Sequence, residues 1–346
     1  MPGFFSWVSA IFSPSRTVAM SSSPRLLDPA AAQTQEEPVD QASTHQLEEH
    51  LFCWLLDVPH SALNRELDSS EKSVLDTLEQ RIRQQSLEEL PRQPMVLPML
   101  TRALSDDKTD RKELSKIILS DPALTDQLLH VANSPLFRHG DKPIESVDQV
   151  VFMLGVNGIR NVISAAVMRP MMTARNSREA LFSQRVWRWG LICAKSAELV
   201  ACLKDKDGSI YFMTGLLPAL SYMTLRRELL RICRSAPQPS EPSPNLTHQA
   251  LSRFQWATAQ VLANAWNLSP EYHAKLLEAE RPKPNQTHAP LNDGIIIGTR
   301  EILRHALQRN MAEEEVLKLV HIPPEQFVRI RRIVLDSIEA GSRVRV

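Results

Sequence analysis

The stretch Asp121-Pro122-Ala123-Leu124-Thr125-Asp126-Gln127-Leu128-Leu129-His130-Val131-Ala132-Asn133-Ser134 decides the fold. Proline has no amide hydrogen and a fixed φ, so Pro122 suits the first position of a helix, where the N–H needs no partner. Asp121 before it supplies the oxygen of an N-cap. Leu124, Leu128, Leu129 and Ala132 then share one face at helical spacing, and Asn133-Ser134-Pro135 stops the helix. A short helix with a one-sided apolar stripe is stable only against other helices. The flanks are punctuated in the same way. Leu114, Ile117 and Ile118 make one stripe upstream. Downstream, Ser146 opens a helix with Val147, Val150, Val151 and Leu154 inward, and Gly155 ends it. Asn157 caps another through Ile159, Val162, Ile163, Ala166 and Val167, ahead of Pro170.

Longer helices are expected over about 182–203, 209–233, 249–267, 270–280, 293–309 and 323–340. No segment alternates apolar and polar residues long enough to predict a strand. The fold class is therefore all-α, and the many short capped helices indicate an orthogonal multi-helix array rather than a four-helix bundle. Three regions are expected. Residues 1–45 are a disordered tail with a short apolar N-terminal segment, because 16–44 are rich in Ser, Pro, Ala and Gln. Residues 46–90 are a helical lead-in, with Leu47, Leu51, Trp54 and Leu55 on one helix and Val74, Leu75, Leu78 and Ile82 on a second that runs to Leu87. Residues 91–345 are the main body, with a Pro-rich loop at 235–248 and C-terminal helices over 293–340.

The chain has 346 residues, 43% of them apolar, with 40 basic and 40 acidic side chains and no net charge. Proteins that coat nucleic acid or anionic membrane carry a cationic excess, so that class is excluded as the main task. Glycine occurs 10 times, and neither a G-x-G-x-x-G nor a G-x-x-x-x-G-K-[ST] loop exists, so phosphate cradles of those types are absent. Cys53, Cys193, Cys202 and Cys233 form no C-x-x-C and read as reduced thiols of a cytoplasmic protein. Phe4, Phe5, Val8, Ile11 and Phe12 share a helical face, but the first basic residue is Arg16, which disfavours a signal peptide. Weak peripheral attachment to a membrane through residues 4–12 stays open.

Catalytic signals are poor. The ten histidines include no pair at i, i+3 or i, i+4, and no G-x-S-x-G elbow is present. Cys193 sits amid Ile192, Ala194 and Ala197, as a structural thiol does. The hairpin 146–168 has the outline of a helix-turn-helix, but its second helix offers Arg160, Asn161 and Ser164 around a broad apolar stripe, which suits a packed hairpin better than a DNA reader. Arg160, Arg169, Arg175, Arg178, Arg185 and Arg188 face Glu179 alone over 160–188, a candidate rim for an anion or a partner protein.

These residues together resemble a known family. Leu90-Pro91, Pro94, Glu113-Leu114, Ile117-Ile118, Asp121-Pro122-Ala123-Leu124, Leu128-Leu129, Ala132-Asn133-Ser134, Ile144, Ser146, Val150 and Leu154-Gly155 are similar to the HDOD domain, a bacterial signal-transduction relative of the metal-dependent HD phosphohydrolases. The resemblance extends more loosely to about residue 283. It implies that the first metal ligand of the hydrolases, in W-x-H-S, corresponds to Trp189 in Trp187-Arg188-Trp189-Gly190. The His-Asp pair after G-L-L corresponds to Pro218-Ala219 after Gly215-Leu216-Leu217. A later ligand falls on Gln255, and a His-His pair before proline falls on Ala279-Glu280 ahead of Pro282. Among these positions Glu280 is the one oxygen donor with charge.

The resemblance thus implies a regulatory module that uses no metal or other cofactor, is not an enzyme, and acts by recognising signalling proteins. Two alternatives remain: a sensor of an anionic nucleotide messenger such as a cyclic dinucleotide, and a DNA-binding regulator, with nucleic acid disfavoured by the charge balance. The partner, the pathway and the oligomeric state are not legible.

Overall fold

A computed structural model describes residues 39–95, 98, 111–138, 142–236, 240–280, 289–320 and 322–339. The apolar segment 4–12, the tail up to residue 38 and Pro282 lie outside the described residues. Val39–Val346 form one compact unit. Its helices are α1 (Val39–Leu56), α2 (Ser69–Arg83), α3 (Arg111–Leu119), α4 (Pro122–Ala132), α5 (Val147–Met168), α6 (Ser177–Leu203), α7 (Gly208–Ser235), α8 (Pro244–Ala265), α9 (Pro270–Glu280), α10 (Pro290–His305), α11 (Glu313–Val320) and α12 (Pro324–Glu339). No strand occurs among the described residues, and none of their helices is long and apolar enough to cross a membrane.

Helix α6 is the axis of the array. It lies along α7 on one side and α10 on another, and α12 and α1 also touch it. Small residues set the spacing. A Cβ on Gly294 of α10 would fall 2.4 Å from the Ala197 backbone, and one on Gly298 would fall 2.7 Å from Cα of Cys193. On the α7 side, a Cβ on Gly215 would meet Cα of Ala194 at 2.7 Å. Helix α8 packs on α7, α4 packs on α5, and α5 reaches α7. The lead-in is part of this body, because α1 packs on α10 and α6, and α2 packs on α7 and α8. Buried Glu228 of α7 anchors it, binding Arg81 at 2.5 Å and accepting the Glu89 N–H at 2.9 Å.

The deciding stretch forms α4 as its residues require. Asp121 accepts the Ala123 and Leu124 N–H groups at 2.9 and 3.0 Å, and Pro122 opens the helix. Asn133 does more than stop it. Its side-chain amide donates to the Leu129 carbonyl at 2.9 Å and to the Ile144 carbonyl at 2.8 Å, while its oxygen accepts the Ile144 N–H at 2.8 Å. The A-N-S triplet therefore ties the loop after α4 to the helix end. Gly155 has φ 64° and ψ −174°, a conformation essentially restricted to glycine, and it kinks α5 between the two expected helices.

Several expected boundaries shift. The first helix begins at Val39, so residues 39–45 belong to α1 and not to the tail. The second ends at Arg83 and not at Leu87; Gln85 turns with φ 52°, and Leu87 is buried beyond the turn. The loop expected at 235–248 is shorter, because Ser243 caps α8 and Pro244 starts it. That is the same Pro-at-first-position rule as in α4, and the surrounding Pro and Ser residues obscured it. Between the helices expected at 293–309 and 323–340 lies α11, whose first turn is Glu313-Glu314-Glu315.

Asn133→Ala removes all three amide bonds and leaves the Ile144 backbone groups without that partner. The expected loss is about 1–3 kcal/mol of stability, read as a lower urea midpoint at unchanged m-value.

Candidate functional site

The residues that the family resemblance sets against the hydrolases' metal ligands are mostly engaged in packing. Trp189 on α6 is 1% exposed and stacks on Tyr222 of α7, with ring centroids 5.0 Å apart and planes 6° from parallel. Its indole N–H donates to the Thr299 hydroxyl of α10 at 2.9 Å, so the one polar atom of the ring is already satisfied. Pro218 and Ala219 are buried in α7. The helices meet beside them, since a Cβ on Gly190 would fall 2.5 Å from the Ala219 Cβ. Ala279 is buried in α9, and its carbonyl accepts from Asn292 of α10 at 3.0 Å. Gln255 and Glu280 are half-buried on α8 and α9.

A divalent ion needs several anionic or imidazole donors to offset the loss of its hydration shell. An indole ring, a proline and two alanines supply none. Among the described residues, no three His, Cys, Asp or Glu side chains gather in a way that could hold a metal ion. The residues present do not fit a divalent metal.

The Trp189–Tyr222 stack continues into the lead-in. Phe52 of α1 lies 5.6 Å from Tyr222, and His248 of α8 lies 4.7 Å from Phe52. Four helices thus meet in one aromatic row. Burial lowers the His248 pKa, with Glu49 partly opposing, so the ring favours its neutral form. Burial also raises the Cys193 thiol well above its usual range, which leaves it inert as a nucleophile.

The six arginines of the expected rim are engaged by different neighbours. Arg160 pairs with Asp207 at 3.7 Å, and Arg169 donates to Gln127 of α4 at 2.9 Å. Arg185 binds the Trp54 carbonyl and Asp57 at the end of α1, and its guanidinium lies 5.5 Å over the Trp54 ring. Arg188 reaches the Ile338 carbonyl of α12 at 3.4 Å. Acids from remote segments thus meet the charges of Arg160 and Arg185, while Arg169 and Arg188 donate to neutral oxygens. Arg175 and Arg178 instead line a cleft of about 680 Å³ between the start of α6 and the second half of α7. There they join Arg226, Arg227, Arg231 and Arg234, against Glu89, Glu179 and Glu241. Sequence reading missed these four α7 arginines. The signal was present as Arg226-Arg227 and Arg231…Arg234, but it lay about fifty residues from the first cluster. In the hairpin, Asn161 is buried at 2% exposure and the Ser164 hydroxyl donates to the Arg160 carbonyl, so these polar groups do not form a base-reading face.

With this geometry in place, comparison with known proteins becomes informative. The HDOD domain family matches residues 90–282. A structure from Shewanella amazonensis SB2B, provisionally named a metal-dependent phosphohydrolase, superposes with a TM-score of 0.56 at 18% identity, covering 78% of this chain and 99% of that one. A second protein of that organism, provisionally named a phosphohydrolase, gives 0.55 at 16% identity over 77% and 97%. An HDOD domain protein of unknown function from Geobacter sulfurreducens gives 0.50 at 18% identity over 79% and 94%. Identities this low establish a shared fold. Among curated proteins no sequence match is found.

Trp189→Ala empties the centre of the aromatic row and is expected to cost about 3–5 kcal/mol. Trp189→Phe keeps a ring but strands the Thr299 hydroxyl, at a smaller cost of about 1–2 kcal/mol. Chemical denaturation of both variants checks the order. The pH dependence has a definite sign. The folded-state pKa of His248 lies below its unfolded value near 6.5, so its contribution is fully present above 6.5 and is lost as the pH falls below it. Between pH 7 and 5.5 the wild type should lose more stability than His248→Gln, as followed by thermal melts.

Proposed function

The chain belongs to the HDOD family, and on that premise we propose that it is a non-enzymatic regulatory module that acts by recognising another protein on a metal-free scaffold. The observation that supports this reading is the close contact of α6 with α7 at Trp189–Tyr222 and Gly190–Ala219, at positions that the family resemblance sets against hydrolase metal ligands. Membership of the family fits a role in signalling. Among the described residues, half-buried Glu280 belongs to no group of three His, Cys, Asp or Glu side chains that could hold a metal, and one carboxylate does not hold a catalytic metal.

The surface offers a feature suited to a partner. Phe152 and Met153, on the first half of α5 just before the Gly155 kink, are 77% and 53% exposed. Adjacent large apolar side chains in water favour contact with another apolar surface.

Metal analysis and a phosphatase assay test this reading together. The purified full chain should carry less than stoichiometric zinc or manganese and show no turnover of p-nitrophenyl phosphate when either ion is added. Glu280→Ala should leave both results unchanged. Retained metal, with turnover that disappears in Glu280→Ala, would overturn the proposal. For the recognition surface, Phe152→Ser should reduce co-purification of a bound partner while leaving the denaturation midpoint within about 0.5 kcal/mol of wild type, as expected for an exposed position.

A further inference from the structure

We propose that the cleft between the start of α6 and the second half of α7 binds a small phosphate-bearing ligand with two or three negative charges, gripped by Arg178, Arg226 and Arg234. The inference is independent of the metal question, because the cleft shares no residue with the ligand positions around Trp189.

Six arginines line the cleft against three glutamates. Three of the six are committed to the fold. Arg227 donates to Glu179 at 2.7 Å and to the Met171 and Thr173 carbonyls at 2.8 and 2.9 Å. Arg175 pairs with Glu89 at 2.5 Å, and Arg231 pairs with Glu88. The remaining three are under-compensated. Arg178 and Arg234 share the same oxygen of Glu241, at 3.2 and 3.0 Å. Arg226 lies 4.3 Å over the buried Phe182 ring and has no acid within ion-pair distance among the described residues. The Phe182 ring gives that guanidinium a cation–π contact, which holds it without neutralising its charge. Burial works against its charge, and Glu179 and Glu241 offset this only in part.

Two guanidinium forks thus share one carboxylate, and the guanidinium of Arg226 lines the same cleft without an acid of its own among the described residues. That carboxylate belongs to the segment between α7 and α8 and is half exposed, so an incoming anion can take its place. Planar forks match phosphate oxygens in bidentate fashion. Asn176 and Ser177 bring the N-terminal end of α6 to the same cleft and add the positive end of its dipole. A volume of about 680 Å³ is in the range of small-ligand sites, and Leu230 and Pro242 provide apolar lining for the body of such a ligand.

Titration calorimetry on the full chain at low salt, with inorganic pyrophosphate and ADP as probes, tests the assignment. Saturable binding is expected. Arg226→Met and Arg234→Gln should each weaken it by about tenfold or more, the loss of a charge-assisted contact, while Arg329→Gln on exposed α12 should not change it. Glu241→Gln should tighten binding severalfold, because it removes the internal competitor, and damage to the fold cannot produce that sign. The proposal is overturned by an absence of saturable heat with both probes, by unchanged affinity in Arg226→Met, or by weaker binding in Glu241→Gln. Binding confined to a phosphorylated peptide, with neither small probe recognised, overturns the small-ligand assignment.

Discussion

Helix α6 approaches α10 and α7 so closely that a single methyl group at Gly294, Gly298 or Gly215 would collide with its backbone or with Cys193. Dispersion forces fall steeply with distance, so helices in direct backbone contact gain attraction along their whole length and leave no space for water. Much of the remaining structure follows from that seam. Buried Asp293 of α10 pairs with Lys204 at 2.9 Å, just past the end of α6. Cys193 sits with its sulfur against the Ile295 carbonyl and the Thr299 hydroxyl. The C-terminal helices then close on α10 through buried Glu301, which lies among Arg300, Arg304 and Arg331.

The same seam bears on function. The family resemblance sets the hydrolases' metal ligands against residues of this seam. Here Ala219 of α7 meets Gly190 of α6 closely, and Trp189 lies flat on Tyr222. Aromatic stacking and a satisfied indole N–H replace coordination as the stabilising contact. Through Phe52 and His248 that contact also reaches the lead-in helix α1 and α8, so the seam is a structural hub. A fold shared with proteins provisionally named as phosphohydrolases is therefore compatible with a different use.

The electrostatics show why local counting has limited reach. The arginines between 160 and 188 look like a single cationic surface when read along the chain. In space Asp207, Glu89, Glu241 and Asp57, from four other segments, draw four of them apart. Conversely, the six-arginine cleft exists because α6 and α7 run side by side, which brings Arg178 and Arg226 to one cleft although they lie far apart along the chain. Neutral net charge conceals both effects, since pairing depends on proximity and not on composition.

What the amino-acid sequence determined by itself was local. The caps at Asp121 and Ser146, the proline at the start of α4, the apolar stripes and Gly155 all act within a turn or two, so the helices, their class and the family are legible from them. The absence of donors at Trp189, Pro218, Ala219 and Ala279 was legible too, because residue type alone decides what can coordinate an ion. Tertiary structure decided whether that place is a hollow or a packed seam, where each arginine finds its counter-charge, and that Asn133 holds a loop eleven residues away. Those outcomes depend on which helices become neighbours. That is set by the summed burial of many side chains, a quantity that no single stretch of the chain contains.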